Sequence, residues 1–225
     1  DSRGNADTAY VNITTTELDL TPPGQPNLKL VKKIAEGKFI IAWNKPNDLD
    51  LKGYRLFYSQ TGSSYSLRDN ESVLTFEVTE KEYQYTQQNP LYLKLTAVDN
   101  SNMSNISIES DTYGVRMKND GKKILIVDGF NRFGGSGSWS KAYHDFVVKY
   151  SEAFNFSFEN VHNSQIENGT VNLNDYEVVI WILGDEALEY ETFSAIEKTK
   201  VKEYLVNGGK LLVSGSEIAY DLEGD

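Results

Sequence analysis

Three short stretches of this chain place acid–base, ionic or hydroxyl side chains at the ends of apolar runs. ILIVDGFNRFGGSGSW carries Asp128, Asn131, Arg132 and, in its glycine-rich part, Ser136. ILGDE carries Asp185 and Glu186, and LLVSGSE carries Ser216 and Glu217. General acid–base catalysis uses pairs of carboxylates whose surroundings push their proton affinities apart. Asp128, Glu186 and Glu217 are therefore the candidate acids and bases, and Ser216 is the candidate nucleophile. Asn131, Arg132, Ser136 and Asp185 are candidate ligand-binding residues. If GGSGSW opens a helix, its backbone N–H groups could also cradle an anion.

Each of these has a plainer reading. The glycine-rich segment lacks the lysine of a phosphate loop and matches no G-x-G-x-x-G, so it can be a simple connection. Asp128 can cap a turn, Arg132 can pair with Glu186, and Glu217 can be a solvated loop carboxylate. SGSEIA is not a nucleophile elbow, because no glycine stands two before or two after Ser216. The chain has no cysteine, which excludes disulfides, thiolate-bound zinc and a thiol nucleophile. With only His144 and His162 as imidazoles, no metal and no cofactor are expected. His144 is read as flanking an apolar helix face, His162 as a loop residue, and Trp139 as a core side chain.

The elements that must position these residues change character near residue 120. Before it the pattern has period two. Phe39, Ile41 and Trp43 alternate, as do Tyr54, Leu56 and Tyr58, and Leu91, Leu93, Leu95 and Ala97. Alternation sets each group on one face of a half-buried strand, and turn-rich stretches such as NKPNDLD and SQTGSS separate them. This predicts an antiparallel sandwich over about Pro26–Met117 with Trp43 buried. After residue 120 come continuous apolar runs, Ile124–Val127, Val178–Leu183 and Leu211–Val213, with a weaker strand at Phe156–Val161. Such runs imply strands buried on both faces, as in a parallel sheet covered by helices. Trp139, Tyr143, Phe146, Val147, Tyr150 and Phe154 share one helical face. A second helix carries Phe193, Ile196, Val201, Tyr204 and Leu205, with Ser194 and Glu197 as a capping box and Gly208–Gly209 as its stop. In a doubly wound layer the candidate residues would meet in a crevice beyond the carboxyl ends of the strands.

Composition narrows the partners. Of 225 residues, 33 are acidic and 22 basic, a net charge of −11, which argues against a surface that grips nucleic acid or anionic lipid. No apolar run approaches the ~20 residues of a membrane span. The N-x-S/T sequons at Asn12, Asn70, Asn102, Asn105, Asn155 and Asn168 are read as a product of asparagine-richness. ADTAYVNIT is similar to the later SDTYGVRMK, so residues 1–21 are read as the tail of a preceding module or a linker. The chain starts without a signal peptide, as expected of a mature protein or an excised piece.

PPGQPNLKL, Trp43, LKGYRLFYS, LTAVDNSNMS and SDTYGV make residues 22–117 resemble a fibronectin type III module. One departure is that Tyr92 stands one place from Leu91, where the tyrosine of a tyrosine corner would fall. ILIVDGFNRFGGSGSW, DYEVVIWILGDE and LVNGGKLLVSGSEIAYDL make residues 122–225 resemble the first part of a flavodoxin-like, class I glutamine-amidotransferase-like domain. That domain is found in large secreted bacterial proteins, often described as xanthan lyase-like or as N-acetylmuramoyl-L-alanine amidases. The resemblance implies a multidomain chain: an all-β immunoglobulin-like sandwich plus an incomplete α/β three-layer flavodoxin-like parallel sheet. It implies a secreted or cell-surface bacterial location, and carbohydrate or cell-wall polymer and further domains of the same longer chain as partners. It carries over a fold and not a reaction, because amidotransferase chemistry needs a cysteine at its elbow. Three functions stand open at this point: an accessory or spacer region of a protein acting on cell wall or polysaccharide, a hydrolase-like site at the carboxyl edge of the sheet, and an adhesin-like interaction protein.

Overall fold

The alternating stretches fall in β2, β3 and β6 of the first seven strands: β1 (Asn27–Ala35), β2 (Lys38–Asn44), β3 (Leu51–Ser59), β4 (Ser66–Asp69), β5 (Glu80–Gln84), β6 (Pro90–Asp99) and β7 (Tyr113–Arg116). The computed structural model describes residues 18–132, 141–186 and 190–223. The glycine-rich GGSGSW with Ser136, the side chain of Trp139, and the segment ADTAYVNIT lie outside the described residues. All pairings among the seven strands are antiparallel, in two layers, β1–β2–β5 and β4–β3–β6–β7. Their inward residues form one core containing Phe39, Ile41, Trp43, Tyr54, Leu56, Leu93, Leu95 and Tyr113. Trp43 is buried and meets Tyr54 edge-on, ring centroids 5.3 Å apart. Burying each such side chain contributes about 1.5–3 kcal/mol.

Tyr92 shows what a shift of one residue does in a strand. It faces away from the sandwich core that Leu91 and Leu93 enter, and its hydroxyl lies 2.8 Å from Ser151 Oγ. Changing parity moves a side chain to the other face of the sheet. The displaced tyrosine therefore anchors the elements that follow instead of making a tyrosine corner.

Those elements are β8 (Ile124–Asp128), α1 (Phe146–Glu152), β9 (Phe158–His162), α2 (Ser164–Glu167), a 3₁₀ turn (Leu173–Asp175), β10 (Val178–Gly184), α3 (Ala195–Val206), β11 (Lys210–Gly215) and α4 (Ile218–Asp221). The apolar runs do form parallel strands, in the order β11–β10–β8–β9. They do not form the expected separate three-layer flavodoxin-like domain, and that expectation is corrected. β9 pairs antiparallel with β7 at its start, Phe158 opposite Arg116, and with β1 near its end, Val161 opposite Leu30. The result is one continuous, mostly antiparallel sheet of eleven strands that runs from the sandwich into the parallel strands. Among the described residues helix is scarce: α3 has 12 residues, α1 has 7, and α2 and α4 are single turns.

The physical reason is what covers the sheet. On one face Leu125, Val127, Val179 and Trp181 pack not only with α3 but with Leu30, Ile40 and Ala42 of the first hairpin. On the other, Ile126, Ile180 and Ile182 pack with α1 and with Tyr92 and Tyr65 of the sandwich. Continuous apolar strands need both faces covered. Here outward-facing sandwich residues supply part of that cover. The first helix is shorter than expected, and the second keeps its cap while Ile196 and Leu205 of its expected apolar face are exposed and Phe193 precedes it. α1 begins only at Phe146, and Tyr143 is exposed. α3 has the predicted capping box: Ser194 Oγ accepts from the Glu197 N–H, and Glu197 Oε2 accepts from the Ser194 N–H at 2.9 Å. Gly208, at φ +89°, follows its end in the left-handed conformation that favours glycine.

Candidate functional site

Parallel pairing sets Asp128, the last residue of β8, opposite His162, the last of β9. Next to them β10 ends at Gly184, whose φ of +52° suits glycine and where a Cβ would stand 2.8 Å from the Phe146 ring. The chain turns there and brings Asp185 and Glu186 back towards Asp128. Glu186 is buried, and both its oxygens accept from the Asn131 N–H, at 3.0 and 2.9 Å. Asp128 is buried as well. Its Oδ1 accepts from the Phe130 N–H at 3.2 Å, and its Oδ2 accepts from the Tyr113 hydroxyl at 3.1 Å. Arg132 donates to the Asp185 carbonyl at 3.2 Å, and Asn131 Nδ2 donates to the Gly129 carbonyl at 2.9 Å.

Asp128, Asn131, Arg132, Asp185 and Glu186 thus lie together at the carboxyl edge. Ser216 joins them through its backbone, its N–H donating to the Gly184 carbonyl at 2.9 Å. Glu217 does not. It precedes α4 with an exposed side chain and a left-handed φ of +61°, and among the described residues it bonds to neither carboxylate. Ser136 lies outside the described residues.

The structure adds residues that the sequence reading passed over. Lys29 of β1, Asp111 just before β7, and Tyr113 of β7 are buried around Asp128. Burial raises the proton affinity of Asp128 and of Asp111, and the Asp128 charge raises Asp111 further. Burial pushes Lys29 down to about 8, against the opposing pull of Asp128 and Asp111. Glu186 is pushed up to about 7, first by burial and then by the Asp128 charge, while the Asn131 and Arg132 N–H groups and the Arg132 charge act the other way. His162 falls to about 3 through burial and the Lys29 charge. Its Nδ1 accepts from the Ser164 N–H at 3.1 Å and lies 2.9 Å from Ser164 Oγ, a contact within one turn. It is buried, not the loop residue expected. His144 is buried too, with its ring 4.4 Å from Phe130 and 5.0 Å from Phe146 between centroids, and its backbone N–H donates to Asp111 Oδ1 at 2.5 Å.

No short motif links Lys29 to Asp111 and Asp128, because β9 is what brings β1 and β7 to β8. The one available signal was a lysine inside the apolar run LKLV of β1. A buried lysine among buried carboxylates is an arrangement that shifts proton affinities at functional sites, and structural ion networks do the same.

Asp19, Asp50 and Asp99 form the one carboxylate group, among the described residues, with ligand atoms all within 4.8 Å. The Asp99 oxygens already accept from the Ser101 hydroxyl, the Asn105 N–H and the Asn105 side chain at 2.7–2.8 Å, so that carboxylate is satisfied without a cation. No helix among the described residues is long and apolar enough to cross a membrane.

No protein-family model matches this sequence, and no curated protein matches it. Solved structures similar to it include the sixth fibronectin type III domain of a human fibronectin type III domain-containing protein, 13% identical with a TM-score of 0.35, covering 44% of this chain and 89% of that one. They include the spore cortex lytic enzyme SleM of Clostridium perfringens, 19% identical with a TM-score of 0.32, covering 43% of this chain and 29% of the enzyme. A β-1,2-glucanase of Parabacteroides distasonis is 23% identical with a TM-score of 0.32, covering 44% of this chain and 14% of the enzyme. The chain therefore spans less than a third of the length of either enzyme. The antiparallel pairings of β1 to β7 are themselves those of a fibronectin type III-like component.

Proposed function

We propose that this chain is an accessory region of a secreted or cell-surface bacterial protein that acts on cell wall or polysaccharide, and that it docks and spaces without cutting. Its partners in this reading are a carbohydrate or cell-wall polymer and other domains of the same longer chain. The observation that carries the reading is how the acids at the carboxyl edge are used. Both oxygens of Glu186 hold the Asn131 N–H, and the two oxygens of Asp128 hold the Phe130 N–H and the Tyr113 hydroxyl. These bonds tie two loops and a sandwich strand together. A catalytic acid needs its proton aimed at a substrate atom. Continuity of the sheet from sandwich to parallel strands also supports a spacer, because no free joint separates the two parts.

A second reading rests on Glu186, lifted to about 7 beside Asp128. A carboxyl group at that level can donate a proton near neutrality, as a hydrolase-like site requires.

The test is incubation of the chain with peptidoglycan and with acidic and neutral polysaccharides, following both release of reducing ends and retardation in affinity gels. Retardation without release is expected. Release that disappears on Glu186→Gln would overturn the accessory reading in favour of the second.

A further inference from the structure

At the opposite, amino edge of the parallel strands lies a wedge-shaped pocket of about 420 Å³. It exists because β1 pairs with β9 over only two positions, Leu30 with Val161 and Val31 with Asn160. Beyond them β1 leaves β9 to form its hairpin with β2, with a register shift between Lys33 and Ala35. The gap is lined by the departing end of β1, the segment joining β7 to β8, and the first residues of β8 and β9.

Lysines line this gap: Lys32 and Lys33 from β1, and Lys118, Lys122 and Lys123 from the connecting segment. This concentration occurs on a chain whose net charge is −11. Glu36, Glu159 and Asp175 also line the gap, leaving positive charge in excess. Glu159 accepts from the Tyr176 hydroxyl at 2.5 Å and from the Lys33 backbone N–H, and it attracts the Lys32 and Lys33 charges, so it offsets part of their field. Lys122 pairs loosely with Glu177 at 3.5 Å, and Lys118 donates to the Asn155 carbonyl at 2.8 Å. Among the described residues, no carboxylate lies within ion-pair distance of Lys32, Lys33 or Lys123. Lys32 and Lys33 are nonetheless half-buried. Five lysines against three carboxylates give the concavity a positive field that favours an anion. Ile34 adds exposed apolar surface to the same lining. Pockets of ~300–1,000 Å³ with apolar walls and a few convergent polar groups fit small organic ligands.

We propose that this wedge binds an anionic saccharide unit, a sugar carrying a carboxylate, with Lys32, Lys33 and Lys123 as its charge partners. The anion preference stands on the lysines alone. The saccharide rests on the accessory reading above, which it deepens by naming an acidic polysaccharide as the docking target.

The test is calorimetric titration of the 225-residue chain with a galacturonate trisaccharide, with the neutral galactose trisaccharide and with inorganic phosphate. Binding of the galacturonate and not of the neutral sugar is expected, weakening several-fold between about 0.05 M and about 0.5 M salt. The double variant Lys32→Gln/Lys33→Gln should lose about tenfold in affinity, the scale of two partly desolvated ion pairs. Lys149→Gln on α1, outside the wedge, should bind as the parent does. Circular dichroism establishes that the variants are folded. Saccharide binding indifferent to charge and to the lysine variants would overturn this inference and leave the polysaccharide reading in place. Lysine-dependent binding of phosphate without the uronate would overturn the saccharide assignment. Absence of binding to all three probes would overturn the site itself.

Discussion

Replacing Glu186 by glutamine removes a buried charge and keeps its shape, so it measures what that charge costs the fold. Burial, followed by the Asp128 charge, lifts the Glu186 carboxyl from its ordinary 4.5 to about 7. That gap is equivalent to ~3 kcal/mol. Arg132 and the Asn131 loop beside it reach solvent, so screening reduces the expected effect to ~1.5 kcal/mol. The sign follows from a folded-state pKa raised above the unfolded one. Below 4.5 the group is protonated in both states and its favourable contribution is fully present. As pH rises from 4.5 through about 7, the unfolded chain gives up the proton first, and the folded state loses stability relative to it. Glutamine does not titrate. Glu186→Gln should therefore gain on the parent as pH rises, by ~1.5 kcal/mol between about pH 4.5 and about pH 8.5. The assay is urea denaturation of both proteins across that range. A constant offset at every pH would mean that Glu186 titrates as an ordinary surface carboxylate, and would refute both the buried-cluster argument and the hydrolase-like alternative built on it.

Arg116 is buried and donates to the Phe154 and Phe156 carbonyls at 2.7 and 3.2 Å and to the Ser151 carbonyl at 3.2 Å. Arg116→Met should cost ~3 kcal/mol, read as a lower urea midpoint at unchanged m-value. Gly129→Ala should cost ~2 kcal/mol in thermal melts, because a Cβ there would stand inside contact distance of the buried Trp181 Nε1. Ser194→Ala should cost ~1 kcal/mol by breaking the capping box, with faster hydrogen exchange in the first turn of α3 and no change at α1.

The sandwich was legible because alternate residues of its strands enter one core. Phe39, Ile41 and Trp43 point inward, as do Leu91, Leu93, Leu95 and Ala97. The parallel strands were legible for the opposite reason: Ile124–Val127 and Val178–Leu183 are apolar on both faces, and both faces are covered. What covers them was not legible. Helices were the expected cover, and Tyr92, Ile40 and Leu30 do part of that work from the outside of the sandwich. An outward tyrosine in β6 is a one-residue signal that helical periodicity cannot register. β9 was placed two residues early, and nothing in its sequence marks it as the partner of β1, β7 and β8 at once. The clustering of Asp128, Asn131, Arg132, Asp185 and Glu186 followed from strand-end geometry. Lys29 and Asp111 reach that cluster only through pairings between distant segments, which local patterns do not encode.

The placement of β9 also bears on how the chain is made. Synthesis completes β7 at Arg116, and the first residue of β9, Phe158, follows about 40 residues later, ~2–8 s at usual elongation rates. Until then the edges of β1 and β7 that β9 will occupy have no partner, and the outer apolar face around Tyr92 and Ile40 is bare. Unpaired strand edges beside apolar surface are templates for joining another nascent chain. A chain released near residue 120 would thus display sandwich strands that are still adhesive along one side. On this view Phe158–His162 acts during biogenesis as a built-in stopper whose late arrival ends the period of risk.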